Sequence, residues 1–479
     1  MPEHNAFESV EHGESKQRLT GPKALKGVLD LIRSIEEQLK KGEKIGVPDL
    51  IRADISDGQA FGQKPLTFPR QVISACAYPD IADHVPLPID VKLRTKEILD
   101  HCPGNTVGSV IINGHPIVRQ HIADYISSRD GIDVNPAKIW ITNGVFHGVS
   151  VILDVLRRRP NGKPPGALTC VPQYMSYFDM LHDKGYYEAY YYLDEDRNWT
   201  HNLRWMRETL DSSRKHCTPR LLLLVNPSNP PGTVLSKKQL EEIIQFAYEN
   251  QLVILADEIF EHNIYSNKRP FYSVRKIVDA MGAPYTKTPV VTFSSISKGF
   301  AAEGGLQAGY FEAVNLDQVD EANLEHLMED ILPPMLSQVA LDCFVKPPSP
   351  GEPSYELYAK EKAFILNSLA ERAELAVERL NAIEGIHCSP VEGSMAAYAR
   401  VLIPERAIEE AQRQGKEPDV FYAEELLKSK GVSVAPGSAF GKLPGRFYIR
   451  VTILQPRDKL LELFHRLKLF HEDFLAKYA

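Results

Sequence analysis

Residues 252–258 read Leu252-Val253-Ile254-Leu255-Ala256-Asp257-Glu258. The apolar run has no polar residue alternating through it, the pattern of a strand covered on both faces. It ends in two acids. A buried carboxylate at a strand end needs a cation or hydrogen-bond donors. A simple strand-end cap and a partner for a charged ligand both satisfy that need for Asp257. Upstream, the apolar run 221–225 leads into Asn226-Pro227-Ser228-Asn229-Pro230-Pro231-Gly232. Downstream, the run 290–293 leads into Ser294-Ser295-Ile296-Ser297-Lys298-Gly299. Ligands in open α/β sheets gather beyond the carboxyl ends of strands. The Asn/Pro loop could present rigid amides there, although the same residues also make plain turns. A lysine desolvated at such an edge becomes a neutral amine, as covalent amine chemistry requires.

Outward from this centre, strands are expected at 138–142, 167–171, 186–192 and 220–225, then at 252–257 and 290–294, with helices between them. That alternation predicts an α/β fold with a mostly parallel central sheet and flanking helices. A helix is expected over 23–41, a loop over 54–63, and mostly helix over 70–128 with a break at 103–116. The prolines at 347, 348, 350 and 353 mark a boundary. Beyond them lies a long helix at 355–382, then a small α+β domain with strands near 386–389, 395–401, 432–435 and 447–452. A helix at 457–478 follows. The expected organisation is an N-terminal arm with part of the small domain at 1–75, a large cofactor-binding domain at 76–350 and a small domain at 351–479.

The chain has 479 residues, 43% of them hydrophobic and 25% charged, which excludes disorder over most of its length. A net charge of −8 argues against a dedicated nucleic-acid surface. The six cysteines form no CxxC pair, so no zinc ribbon or other metal site is expected. The first 20 residues read as a polar arm without a secretory apolar core, and no apolar run is long enough to span a membrane. The expected address is the cytoplasm.

The three motifs recur in order, together with Val171-Pro172-Gln173-Tyr174, Arg52-Ala53-Asp54-Ile55, Ala435-Pro436-Gly437-Ser438-Ala439-Phe440-Gly441 and Phe447-Tyr448-Ile449-Arg450. On these the chain resembles the fold-type I, pyridoxal-phosphate-dependent aminotransferases of class I/II, and within them the alanine aminotransferase group. The resemblance implies that Lys298 holds the cofactor and shuttles the α-proton. It implies that Asp257 pairs with the ring nitrogen, Asn229 with the ring oxygen, and Tyr174 lies against the ring. Ser295 and the backbone of Gly144, Val145 and Phe146 would hold the phosphate, and Arg450 would clamp the substrate carboxylate beside Ser56 and Asn229.

Some positions depart from the family pattern. Gln307 stands where a phosphate-binding arginine is usual, Phe260 where a tyrosine is usual, and Ser56 where a glycine is common. The loop Asn143-Gly144-Val145-Phe146-His147 is bulkier than usual, and no tyrosine stands around Gly108-Ser109. The expected reaction is amino transfer from an L-amino acid to a 2-oxo acid in a homodimer. The second reading is a repurposed enzyme that eliminates, substitutes or joins carbon at the β or γ position of an amino acid.

Overall fold

The computed structural model describes residues 21–479 except 44, 45, 48, 159–161 and 442; the polar arm at 1–20 lies outside the described residues. In chain order the strands are β1 (Ile51–Arg52), β2 (Ile139–Thr142), β3 (Pro165–Val171), β4 (Tyr187–Asp194), β5 (Thr200–His201), β6 (Thr218–Val225) and β7 (Val253–Asp257). They continue with β8 (Val290–Ser295), β9 (Gly309–Val314), β10 (Ile386–Cys388), β11 (Ala396–Val401), β12 (Val432–Ser433), β13 (Ala435–Pro436) and β14 (Phe447–Thr452).

The main sheet runs β2-β9-β8-β7-β6-β3-β4-β5. Strands β8, β7, β6, β3 and β4 are parallel. Every residue of β7 is buried, as expected for a central strand with helices on both faces. The sequence pattern predicts no strand at 309–314. Strand β9 lies there, antiparallel to both β8 and β2, so the strand expected at 138–142 closes the sheet as an antiparallel edge. The segment is short and directly follows a glycine-rich loop, which hides its period.

A second sheet runs β10-β11-β14-β13, packed by the helices Tyr355–Asn381 and Pro418–Lys430, and the helix Arg457–Tyr478 packs on those two helices and on β12. The single strand expected over 432–435 is two short ones. β12 pairs in parallel with β1, and β13 pairs with β14. Residues just after the first helix (Gly21–Lys40) are thereby tied to the C-terminal part of the chain. The Ala53 carbonyl extends the seam by accepting the Thr452 N–H at 2.9 Å.

Candidate active site

Register brings the three sequence motifs to one place. Val225 lies opposite Asp257, and Asp257 lies opposite Phe293. The carboxyl ends of β6, β7 and β8 are level, so Asn229, Asp257 and Lys298 issue from one sheet edge.

Asp257 is 6% exposed. Its Oδ1 accepts the Ile259 N–H at 3.1 Å and its Oδ2 accepts the Tyr177 hydroxyl at 2.6 Å. Burial pushes its carboxyl up to about 6, against the pull of those two donors. Tyr174 caps the helix Met175–Asp183, and its ring meets the Tyr177 ring edge-on at 5.7 Å.

Lys298 is half-buried after β8, and its Nζ donates to the Ser56 carbonyl at 2.6 Å. Burial, with the positive charge of Arg450, lowers its pKa, opposed by Asp57. The amine therefore gives up its proton more readily than a surface lysine. Arg450 is 4% exposed on β14. One of its terminal nitrogens donates to the Asp54 carbonyl at 2.8 Å and the other to Asn229 Oδ1 at 3.4 Å. Its guanidinium carbon lies 4.7 Å from the centre of the Phe440 ring, a cation–π contact. Burial lowers its pKa to about 10, which leaves it cationic at neutral pH.

A third group lies at the start of the helix Val145–Val155. Gly144 takes φ +83° there, and no side chain caps the helix. A methyl group on Gly309 would lie 2.9 Å from Gly144 Cα, so only glycine lets β9 approach this turn. Ser295 Oγ donates to the Ala308 carbonyl at 2.8 Å and accepts the Ser297 N–H at 3.0 Å. Ser297 Oγ is 2.9 Å from it, and a methyl group on Gly144 would lie 3.8 Å from Ser297 Oγ. Free N–H groups at a helix start beside two hydroxyls suit an oxyanion.

Three departures in the sequence now have positions. Gln307 is exposed, and its amide donates to the Gly304 carbonyl at 2.6 Å. His147 accepts the Asn143 N–H through Nδ1 at 3.2 Å, so its proton sits on Nε2. Burial and the charge of Lys184 lower its pKa, so it adds no cation at neutral pH. Phe260 is buried in an apolar cluster with Ile296 and Phe300. Phe146 is half exposed, whereas Val145 is buried.

Sequence reasoning missed Tyr177, Ser297, the Asp54 carbonyl and the Phe440 ring. Tyr177 had a signal, since it stands three residues after Tyr174 on one helix face. The others depend on contacts made across the fold.

The site fits an aromatic, phosphorylated, carbonyl-bearing cofactor on structural grounds. A buried carboxylate with a raised pKa awaits a cationic donor, the Arg450 Nε is buried without a partner, and an uncapped helix start faces two hydroxyls.

Comparison with known proteins gives the same answer. The sequence model of aminotransferase class I and II matches residues 73–467. This chain belongs to that family. An alanine aminotransferase 2-like protein of Danio rerio is 39% identical over 93% of this chain and 82% of its own length. Glutamate–glyoxylate aminotransferase 1 of Arabidopsis thaliana is 36% identical over 95% of this chain and 94% of its own. The solved structure of an alanine aminotransferase from Pyrococcus furiosus matches with a TM-score of 0.73 at 21% identity, over 96% of this chain and all of that one. The aminotransferase has the fold-type I architecture and is pyridoxal-phosphate-dependent. Among the described residues no helix is long and apolar enough to cross a membrane, and none of the His, Cys, Asp and Glu side chains cluster as a metal site.

Proposed function

We propose that this aminotransferase moves the amino group of L-alanine to a 2-oxo acid, giving pyruvate and a new amino acid. The single observation that carries the reading is the convergence of a desolvated lysine, a buried acid and a buried arginine at one sheet edge. Relatives named alanine aminotransferase, similar over nine-tenths of the chain, support alanine as donor. No feature of the site favours chemistry at the β or γ position.

When bound, pyridoxal phosphate supplies a carbonyl for the substrate amine and a ring that accepts the electron pair of the broken Cα–H bond. Asp257 holds a proton on the ring nitrogen, and its burial makes that ion pair strong. Asn229 donates toward the ring oxygen, and Tyr174 covers one ring face. The N–H groups of Gly144, Val145 and Phe146 meet the phosphate with the Ser295 and Ser297 hydroxyls. Arg450 grips the substrate carboxylate with its unpartnered Nε and one terminal nitrogen, in the fork geometry that suits a carboxylate. Ser56 bounds the pocket through its backbone while its carbonyl holds Lys298 Nζ. With the cofactor bound, the Lys298 amine would take the proton from the substrate Cα and hand a proton back within the site.

The test is a product balance. Holoenzyme with alanine and 2-oxoglutarate is expected to form pyruvate and glutamate in equal amounts, with parallel lines in double-reciprocal plots. Ammonia release, or pyruvate formed continuously without an acceptor, overturns the reading. Glyoxylate in a parallel arm ranks the acceptors, as the similarity to the plant enzyme invites.

The phosphate cup carries a prediction of its own. Gln307 lies two residues before Gly309, which touches Gly144. Gln307→Arg is expected to tighten pyridoxal phosphate binding roughly tenfold, the worth of one weak charge-assisted contact. Equilibrium dialysis of the apoenzyme reads it, and an unchanged dissociation constant refutes it.

We also place the chain in the cytoplasm as a homodimer, with the domain limits given above. Tyr78, Val85, Ile89, Leu93, Val110 and Ile112 are exposed apolar residues on neighbouring helices and loops, in keeping with a covered face. Light scattering after size exclusion is expected to give twice the chain mass; a fully active monomer refutes this.

A further inference from the structure

We propose that Tyr177 is a positioning residue whose hydroxyl holds Asp257 ionised and in line for a cationic partner. The inference rests on the role of Asp257 given above. Three observations carry it. Tyr177 is 2% exposed, and its hydroxyl donates to Asp257 Oδ2 at 2.6 Å, within the range of a short charge-assisted bond. The second oxygen is taken by the Ile259 N–H, so both oxygens are fixed by donors from different elements. Tyr177 belongs to the helix after β3, whereas Asp257 ends β7, with β6 between them in the sheet. The bond therefore ties the helix that carries Tyr174 to the strand that carries the acid.

A buried tyrosine needs only some acceptor, and a backbone carbonyl suffices. Tyr186 shows this, donating to the Leu153 carbonyl at 2.6 Å. Tyr177 instead spends its proton on a carboxylate. A donor facing a carboxylate favours the charged form. Among the described residues, the one other donor acting on the Asp257 carboxyl is the Ile259 N–H. The neighbouring Glu258 accepts the Val274 N–H at 2.7 Å, and the charges of Arg129, Asp130 and Glu261 act on it. No full charge among these offsets the burial of Asp257, so the phenol is the main support of its ionised form.

The test uses the apoenzyme, in which the titration of Asp257 does not depend on what the cofactor does. The protonated carboxyl band of Asp257 is followed by infrared difference spectroscopy against Asp257→Asn across pH. Tyr177→Phe removes only the hydroxyl and keeps the ring edge against Tyr174. The midpoint is expected to rise by about one to two pH units from its position near 6. An unchanged midpoint in a folded variant overturns the proposal. A second arm places 3-fluorotyrosine at 177, a more acidic donor of nearly the same size. Its midpoint is expected to fall, and no movement overturns the proposal even where Tyr177→Phe is unstable. A purely structural tyrosine would change the unfolding temperature and leave the midpoint in place. If the midpoints move but Asp257→Asn keeps full amino transfer, the role of Asp257 fails while the action of Tyr177 on it stands.

Discussion

Lys298→Ala is expected to lower amino transfer roughly 10⁴-fold, the upper range for a proton moved by one placed side chain. The loss is expected in kcat, measured as pyruvate formed from alanine with saturating pyridoxal phosphate. The fold should survive, because the half-buried side chain gives up one hydrogen bond, to the Ser56 carbonyl. Lys298→Arg should be equally inactive. A guanidinium stays protonated at any working pH and cannot take a proton from carbon. Unfolding temperatures close to that of the parent would separate lost chemistry from lost structure. Activity within tenfold of the parent would remove Lys298 from the mechanism.

The second large effect belongs to Arg450. Two hydrogen bonds from a cation to a carboxylate contribute roughly 1.5–3 kcal/mol each. Arg450→Leu is therefore expected to cost roughly 10²- to 10⁴-fold in kcat/KM for the amino acid. The variant also strands the Asp54 carbonyl, so some loss of thermal stability is expected. Substrate choice isolates the clamp from that loss. The parent should prefer alanine to ethylamine, which lacks the carboxylate, by a wide margin. In the variant the preference should collapse, because the amine never used the arginine. A preference that persists in Arg450→Leu would show that the carboxylate is bound elsewhere.

Much of this site was readable before any coordinates, for a physical reason. Buried parallel strands write themselves as unbroken apolar runs, and ligand-facing residues follow at their carboxyl ends. Asn229, Asp257 and Lys298 stand right after such runs, and level strand register then brings them together. Strand β9 was not readable, because it is short and antiparallel and its glycine start blends into a loop. Ser297 and the Asp54 carbonyl were also invisible. A backbone carbonyl has no signature in sequence, and one serine among three near Lys298 looks like the others. The departure at Gln307 was readable, but not its consequence. Only the fold shows its amide turned onto Gly304 and His147 kept neutral by burial and the Lys184 charge.

The seam between β1 and β12 bears on how the site comes into being. The Lys298–Ser56 contact spans 242 positions, and the Arg450–Asp54 contact spans 396. A ribosome adds roughly 5–20 residues each second, so the acid and lysine edge can fold many seconds before Arg450 exists. During that interval the stretch around Asp54 has no partner strand, and the proposed carboxylate clamp has no arginine. On the proposed roles, the nascent chain can thus own a cofactor site without a substrate site until the stretch from Val432 to Arg450 is made.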